Sequence, residues 1–235
     1  MVALAAVGVV AGCRLFVDLD GLERRTASCR RRDSGVDAEV NPPVDAGSDV
    51  ETPDVKCPGT GGPTAKLIDT GTTRFCIDTS EVTNEQYDAF LKTNPTVPAN
   101  PAFCAWVTTY TPSHFPYDSA RKAYPVNNVS WCHAYAFCQW AGKRLCGEIG
   151  GGTLLPAEMG DGTKAEFIYA SSKGGTQKYP YGNEYNGKAC NGGNESLGMT
   201  RAVKALASGQ ADGVFDLAGN IHEWTDGCVP SVGSQ

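Results

Sequence analysis

Histidine, surplus basic charge and long apolar runs are scarce in this sequence, and each scarcity removes a class of function. There are three histidines, His114, His133 and His222, too scattered to build a histidine-rich metal centre. No two cysteines stand in Cys-x₂-Cys spacing, which argues against a structural zinc site. Acids outnumber bases 26 to 20, giving a net charge of −6 and a pI near 5.1. The basic footprint of a nucleic-acid-binding domain is therefore missing. Gly150-Gly-Gly152 lacks the Gly-Lys-Ser/Thr that completes a phosphate-binding loop, and reads as a turn. Glu158, Asp161 and Glu166 lie close in sequence, but nothing fixes them on one face as a carboxylate pair.

The apolar stretch at residues 1–12 is shorter than the roughly 20 residues a membrane-spanning helix needs. It fits the core of a secretory signal. It ends in Val10-Ala-Gly-Cys13, which resembles a bacterial lipobox with Cys13 as the lipidated residue; a plain signal peptide is the alternative. A membrane partner through a lipid anchor, and a place in the cell envelope, lipid-anchored to the outer membrane or secreted, follow as expectations. Ten cysteines fit such an oxidising compartment. With Cys13 set aside nine remain, so at least one lacks a partner within the chain; Cys228 is the candidate. Cys57 and Cys76 flank the start of the globular region and form a plausible disulfide. Residues 14–56 read as a tether. From Asp33 to Lys56 they are rich in acid and proline and have no aromatic residue, a composition too poor in apolar surface to offset ordering entropy.

With 28 glycines and 14 prolines and few long periodic stretches, residues 57–235 suggest an irregular α+β fold with much loop. Thr83, followed by Gln86, forms a capping box, and Tyr87, Phe90 and Leu91 then share a helical face up to the break at Pro95. Ser130 caps a second helix, with Trp131, Ala134, Tyr135, Cys138 and Ala141 at core spacing and Gly142 as the residue after its end.

The most informative segment is Asp212-Gly-Val-Phe-Asp-Leu-Ala-Gly-Asn-Ile-His-Glu-Trp-Thr-Asp226. Within six residues it holds a turn glycine, an amide, a carboxylate and an indole. The side-chain oxygens of Asn220 and Glu223 suit a hard cation such as calcium, while a buried turn with Trp224 as a core plug needs no cation.

This segment resembles the Gly-Asn-x-Trp-Glu-Trp signature of the formylglycine-generating enzyme (sulfatase-modifying factor) family. Four further segments agree, in the family's order. They are Phe75-Cys-Ile-Asp-Thr-Ser-Glu-Val-Thr-Asn-Glu-Gln-Tyr-Asp-Ala-Phe90, Tyr124-Pro-Val-Asn-Asn-Val-Ser-Trp131, Glu166-Phe-Ile-Tyr-Ala170 and Tyr179-Pro-Tyr-Gly182, with Trp140-Ala-Gly-Lys-Arg-Leu145 closing the second helix. The resemblance implies a loop-rich fold like that of C-type lectin domains. It also implies two structural calcium sites. The side chains of Asn220 and Glu223 with the carbonyls of Gly219 and Ile221 would form one. Asn191, Glu195 and the carbonyl of Leu197 would form the other.

The sequence departs from the family pattern in three places. His222 stands where the signature has its first tryptophan, and reads as a polar surface or supporting residue. Cys146-Gly-Glu-Ile-Gly-Gly-Gly152 and an extra segment interrupt the run before Glu166. The sequence ends at Gln235, short of the segment that carries the family's two copper-binding catalytic cysteines. The domain is thus expected to be C-terminally incomplete, with no catalytic residue and no oxidase activity of its own. Copper would matter only in a longer, catalytic version, and the lost partner of Cys228 would lie in the same segment. Oxidases of this family convert a peptide cysteine to formylglycine. Three readings follow: an envelope-anchored relative of these oxidases, a non-catalytic calcium-stabilised module that binds a peptide, protein or other ligand, and a degraded gene product.

Overall fold

The helix-start signals operate where the sequence puts them. In the computed structural model, which describes residues 56–57, 59–97, 101–192 and 199–227, Thr83 caps α1 (Asn84–Leu91): its hydroxyl accepts from Gln86 N, and the Gln86 side chain accepts from Thr83 N at 2.9 Å. Ser130 caps α2 (Trp131–Trp140), with an unforeseen partner, since the third helical residue is His133 and its Nδ1 accepts from Ser130 N at 2.9 Å. The end of α2 is closed by a Schellman pair. Gly142 N donates to Gln139 O and Lys143 N to Cys138 O, with Gly142 in the left-handed region at φ +69°.

Regular structure is otherwise sparse. β1 (Ala65–Asp69) and β2 (Arg74–Asp78) form an antiparallel hairpin in which Leu67 faces Cys76. A third helix, α3 (Glu166–Ser172), packs against β2. Among the described residues, three one-turn 3₁₀ segments and isolated bridges complete the order. Small helices with one two-stranded sheet make the chain α+β and loop-rich. Among the described residues no helix is long and apolar enough to cross a membrane.

Two apolar clusters stabilise this loop-rich chain. The larger gathers Tyr87 and Phe90 of α1, Trp131 and Phe137 of α2, and Trp224. Tyr87 stacks on Phe137 at 5.5 Å, and the Tyr87 hydroxyl donates to the Tyr110 carbonyl. The smaller lies beneath the hairpin, where Phe75 and Ile77 meet Phe167, Val214 and Leu217. Cys57 is joined to Cys76, the pair expected from the sequence, and a second bridge joins Cys104 to Cys132 across 28 residues. The second links the loop before α2 to its first turn and has no signal in cysteine spacing.

Several buried charges are paired within the fold. Lys143 Nζ donates to Asp78 Oδ1 and to the Pro63 carbonyl, both at 2.6 Å. Arg144 grips buried Glu166 with two nitrogens, and Glu166 also accepts from Gly147 N. Glu158 accepts from Leu155 N and Lys164, while Asp161 accepts from Thr163. These three acids serve the backbone and the fold, as their scattered spacing implies. Gly150, Gly151 and Gly152 all take positive φ in a tight turn closed by Glu148 N to Gly152 O.

Candidate functional site

The segment from Asp212 to Asp226 folds as a series of turns. Asp212 and Gly213, both at positive φ, turn the chain between Ala211 and Val214, which exchange two backbone bonds. Gly219 then sits at φ +90° so close to the neighbouring loop that a Cβ would lie 2.7 Å from the Asn191 carbonyl oxygen. Asn220 follows at φ +62°, a conformation an asparagine tolerates where most residues do not.

This backbone route decides what Asn220 can do. Its Oδ1 accepts from Asn191 Nδ2 at 2.9 Å and from Arg201 N at 2.8 Å. Its Nδ2 donates to Glu81 Oε2 at 2.6 Å and to the Arg201 carbonyl at 3.2 Å. Its own N–H donates to the Asn191 carbonyl. A cation on Oδ1 would have to displace two N–H donors. In this arrangement the Asn220 amide clamps three loops together. Glu81, fully buried, is the anchor of this clamp and also accepts from Ile221 N at 3.3 Å. Glu81 was missed in the sequence because it lies 139 residues from Asn220, in a different motif.

The other members of the expected site do share a space. Gly219, Ile221, His222 and Glu223 line a cavity of about 180 Å³, with Asp216, Leu217, Ala218 and Phe167 completing its wall. Two acidic residues, Asp216 and Glu223, thus line one small space. Glu223 is 5% exposed, whereas His222 is exposed at the surface. Asp216 Oδ2 accepts from Lys204 N at 2.7 Å. Asp216, four residues before Asn220, was absent from the sequence expectation; its only signal was an acid one turn ahead of the glycine. Among the described residues no three His, Cys, Asp or Glu side chains gather as a metal cluster. A site here would therefore have to draw on backbone carbonyls as well as its two carboxylates.

Asn191 holds the adjoining loop. Its Nδ2 donates to the Met199 carbonyl and to Asn220, and its Oδ1 is buried without a hydrogen-bond donor among the described residues. Glu195 and Leu197, the other members expected around it, lie outside the described residues, as do Cys13 and Cys228.

Of the remaining cysteines, Cys138 and Cys146 are completely buried. Cys190 is half-buried. Burial pushes its thiol up, against the opposing hydrogen bond with Tyr181. Copper held by two thiolates needs a pair of accessible, ionisable sulfurs. The described cysteines do not present one, so the residues described do not fit copper.

Comparison with known proteins gives the chain's relatives. Residues 59–233 match the family model described as "Sulfatase-modifying factor enzyme 1-like domain". Among curated proteins, the chain is 32% identical over 120 residues to the formylglycine-generating enzyme of Mus musculus, covering 45% of this chain and 27% of that one. It is 32% identical over 117 residues to a Bos taurus protein named inactive C-alpha-formylglycine-generating enzyme 2, covering 45% and 33%. It is also 32% identical over 118 residues to the formylglycine-generating enzyme of Thermomonospora curvata, covering 44% and 33%. The chain thus spans about a third of the length of the curated relatives it matches. No solved structure matches.

Proposed function

We propose, because the chain belongs to the sulfatase-modifying factor enzyme 1-like domain family, that it is a calcium-stabilised, non-oxidising member of that family, a binding module for a peptide, protein or other ligand. The observation that carries this reading is the cavity bordered by Asp216 and Glu223. Two carboxylates with nearby carbonyls offer the all-oxygen surroundings that calcium prefers over softer metals. Glu223, Asp216 and the carbonyls of Gly219 and Ile221 would hold the ion. Bound there, calcium supplies fixed positive charge and no redox chemistry; it would pin a loop that has no sheet or helix to hold it. The orphaned Asn191 Oδ1 is a further oxygen suited to a second ion. The fold reading extends to a resemblance with C-type lectin domains, also binding scaffolds, and short helices around a small hairpin are consistent with it.

The absence of oxidase activity is supported by the state of the described cysteines. The names of the curated relatives include both a formylglycine-generating enzyme and an inactive counterpart, so the family accommodates either outcome. We place the protein at the cell envelope through Cys13, on the strength of Val10-Ala-Gly-Cys13 after an apolar run.

The deciding experiment measures thermal unfolding with calcium and with chelator. Calcium should raise the midpoint for the wild type, and Asp216→Asn with Glu223→Gln should abolish that rise. Equal midpoints in calcium and chelator for the wild type would overturn the calcium site. Incubation with a Cys-x-Pro-x-Arg peptide, copper, oxygen and reductant should yield no aldehyde product by mass spectrometry. Turnover above a no-protein control would overturn the non-oxidising reading. Labelled palmitate should mark the wild type and not Cys13→Ser; an exported but unlabelled wild type would overturn lipidation.

A further inference from the structure

A second, larger space lies away from the signature. It measures about 330 Å³ and runs between β1, α3 and the Asp212-Gly213 turn. Its floor is apolar, from Ile68, Ala170 and Val214, with Tyr169 on one wall. Its rim carries two ammonium groups that converge on one residue. Lys66 Nζ donates to the Asp212 carbonyl, and Lys173 Nζ stands 3.7 Å from the Asp212 carboxylate. The other acid of the rim, Asp69, is neutralised by Arg74 at 2.9 Å and by Gly71 N. Lys66 is half-buried and meets no carboxylate among the described residues. The groove therefore has one cation in excess above an apolar floor.

The chain carries a segment of complementary chemistry. Residues 33–56 hold seven acids and a single lysine, a net of −6, which equals the net charge of the whole chain. The remainder of the protein is thus balanced. Valines punctuate these acids at Val40, Val44, Val50 and Val55. The segment joins the other face of the same hairpin, because Cys57 is bonded to Cys76, which pairs with Leu67 while Lys66 and Ile68 turn toward the groove. Twenty-four residues can reach about 80 Å when extended, at roughly 3.3 Å each, so reach is no constraint.

We propose that this groove is an intramolecular docking site for the chain's own acidic segment, with Asp45–Val55 lying across Lys66 and Lys173. An exposed ion pair contributes little alone. Covalent connection changes the balance, since a short linker sets a local concentration on the order of millimolar. A groove whose Kd lies in that range is occupied about half the time. The segment is then a reversible ligand of the groove as well as a spacer.

The test uses the full chain and a lysine-acylating reagent, read by mass spectrometry residue by residue. Compared with the wild type, the variant D45N/D49N/E51Q/D54N should acylate about twofold faster at Lys66 and Lys173, with exposed Lys188 unchanged. Molar salt should produce the same acceleration in the wild type. Carbodiimide coupling of the wild type should link Lys66 or Lys173 to acids between Asp45 and Asp54 in the monomer band. Equal acylation of the two proteins at Lys66 and Lys173 would overturn the proposal. Links confined to the dimer band would overturn it too, by showing that the occupant comes from a second copy.

Discussion

Trp131 and Trp224 each fasten the other's segment. Trp131 Nε1 donates to the Thr225 carbonyl at 2.8 Å, and Trp224 Nε1 donates to the Val129 carbonyl at 2.9 Å. Both indoles are 5% exposed. The start of α2 and the strand-like run after the signature are therefore held by a reciprocal pair of buried bonds. Trp224→Phe keeps most of the apolar contact and orphans the Val129 carbonyl, which should cost about 1–3 kcal/mol in urea unfolding. Trp131→Phe should cost a similar amount. The double variant should lose less than the sum of the two, because either change alone already loosens the shared junction.

Acid should weaken the start of α2. His133 Nδ1 accepts from Ser130 N, so that nitrogen is unprotonated, and Nε2 carries the hydrogen donated to the Thr109 carbonyl at 2.7 Å. Burial holds its pKa below the ordinary value, against the opposing bond to Thr109. His114 is lowered by burial as well. The unfolded chain thus takes up these protons more readily than the folded one. Their contribution to stability is complete above the unfolded histidine pKa of about 6.5 and is lost as pH falls from there toward the folded values. Unfolding free energies at pH 7.5 and pH 5 should differ, and His133→Gln, which keeps an acceptor for the cap, should reduce that difference.

Two glycines of the signature segment should respond differently to alanine. Gly213→Ala introduces left-handed strain, about 1–2 kcal/mol, into open space where Lys66 Nζ at 3.7 Å is the nearest neighbour. Gly219→Ala adds to the same strain a backbone clash at 2.7 Å with the Asn191 carbonyl. It should be the costlier change, and should release the loop that borders the Asp216–Glu223 cavity. Thermal melts compare the two directly, and a Gly219→Ala protein as stable as Gly213→Ala would contradict this account of the close approach.

Glu81 should matter more than its distance from the signature suggests. Its two oxygens accept from Asn220 Nδ2 and Ile221 N. Bonds to a buried charge contribute about 1.5–3 kcal/mol each. Glu81→Ala should therefore destabilise the fold by several times that of an ordinary surface change, and faster hydrogen exchange at Ile221 would localise the damage.

What the sequence disclosed was local, and what it concealed was long-range. Thr83 with Gln86, Ser130 before an apolar run and Gly142 after one announce helix ends, because caps are satisfied within three or four residues. The helical core stripes were legible for the same reason. Cys104 with Cys132, Glu81 with Asn220, and Trp131 with Thr225 are pairings across 28, 139 and 94 residues, which no spacing rule ranks above its competitors. Asn220 shows what a local reading leaves out. The left-handed turn there directs its amide toward Glu81 and Arg201, partners that no neighbouring residue announces. Asp216 is the converse, an inconspicuous acid brought to the cavity by a turn.

The Cys57–Cys76 bridge gives the domain a mechanical property. The covalent loop it closes contains the whole of β1. A pull on the N-terminal segment, such as drag on a protein held at a surface, reaches β2 through the sulfur–sulfur link. It does not peel β1 away from its end, one hydrogen bond at a time. β2 is rooted in the core by Phe75 and Ile77, so the load spreads over the smaller apolar cluster. With the bridge reduced, the same force would unzip the hairpin from its outer strand, and the domain would yield at a lower load under tension while remaining folded at rest.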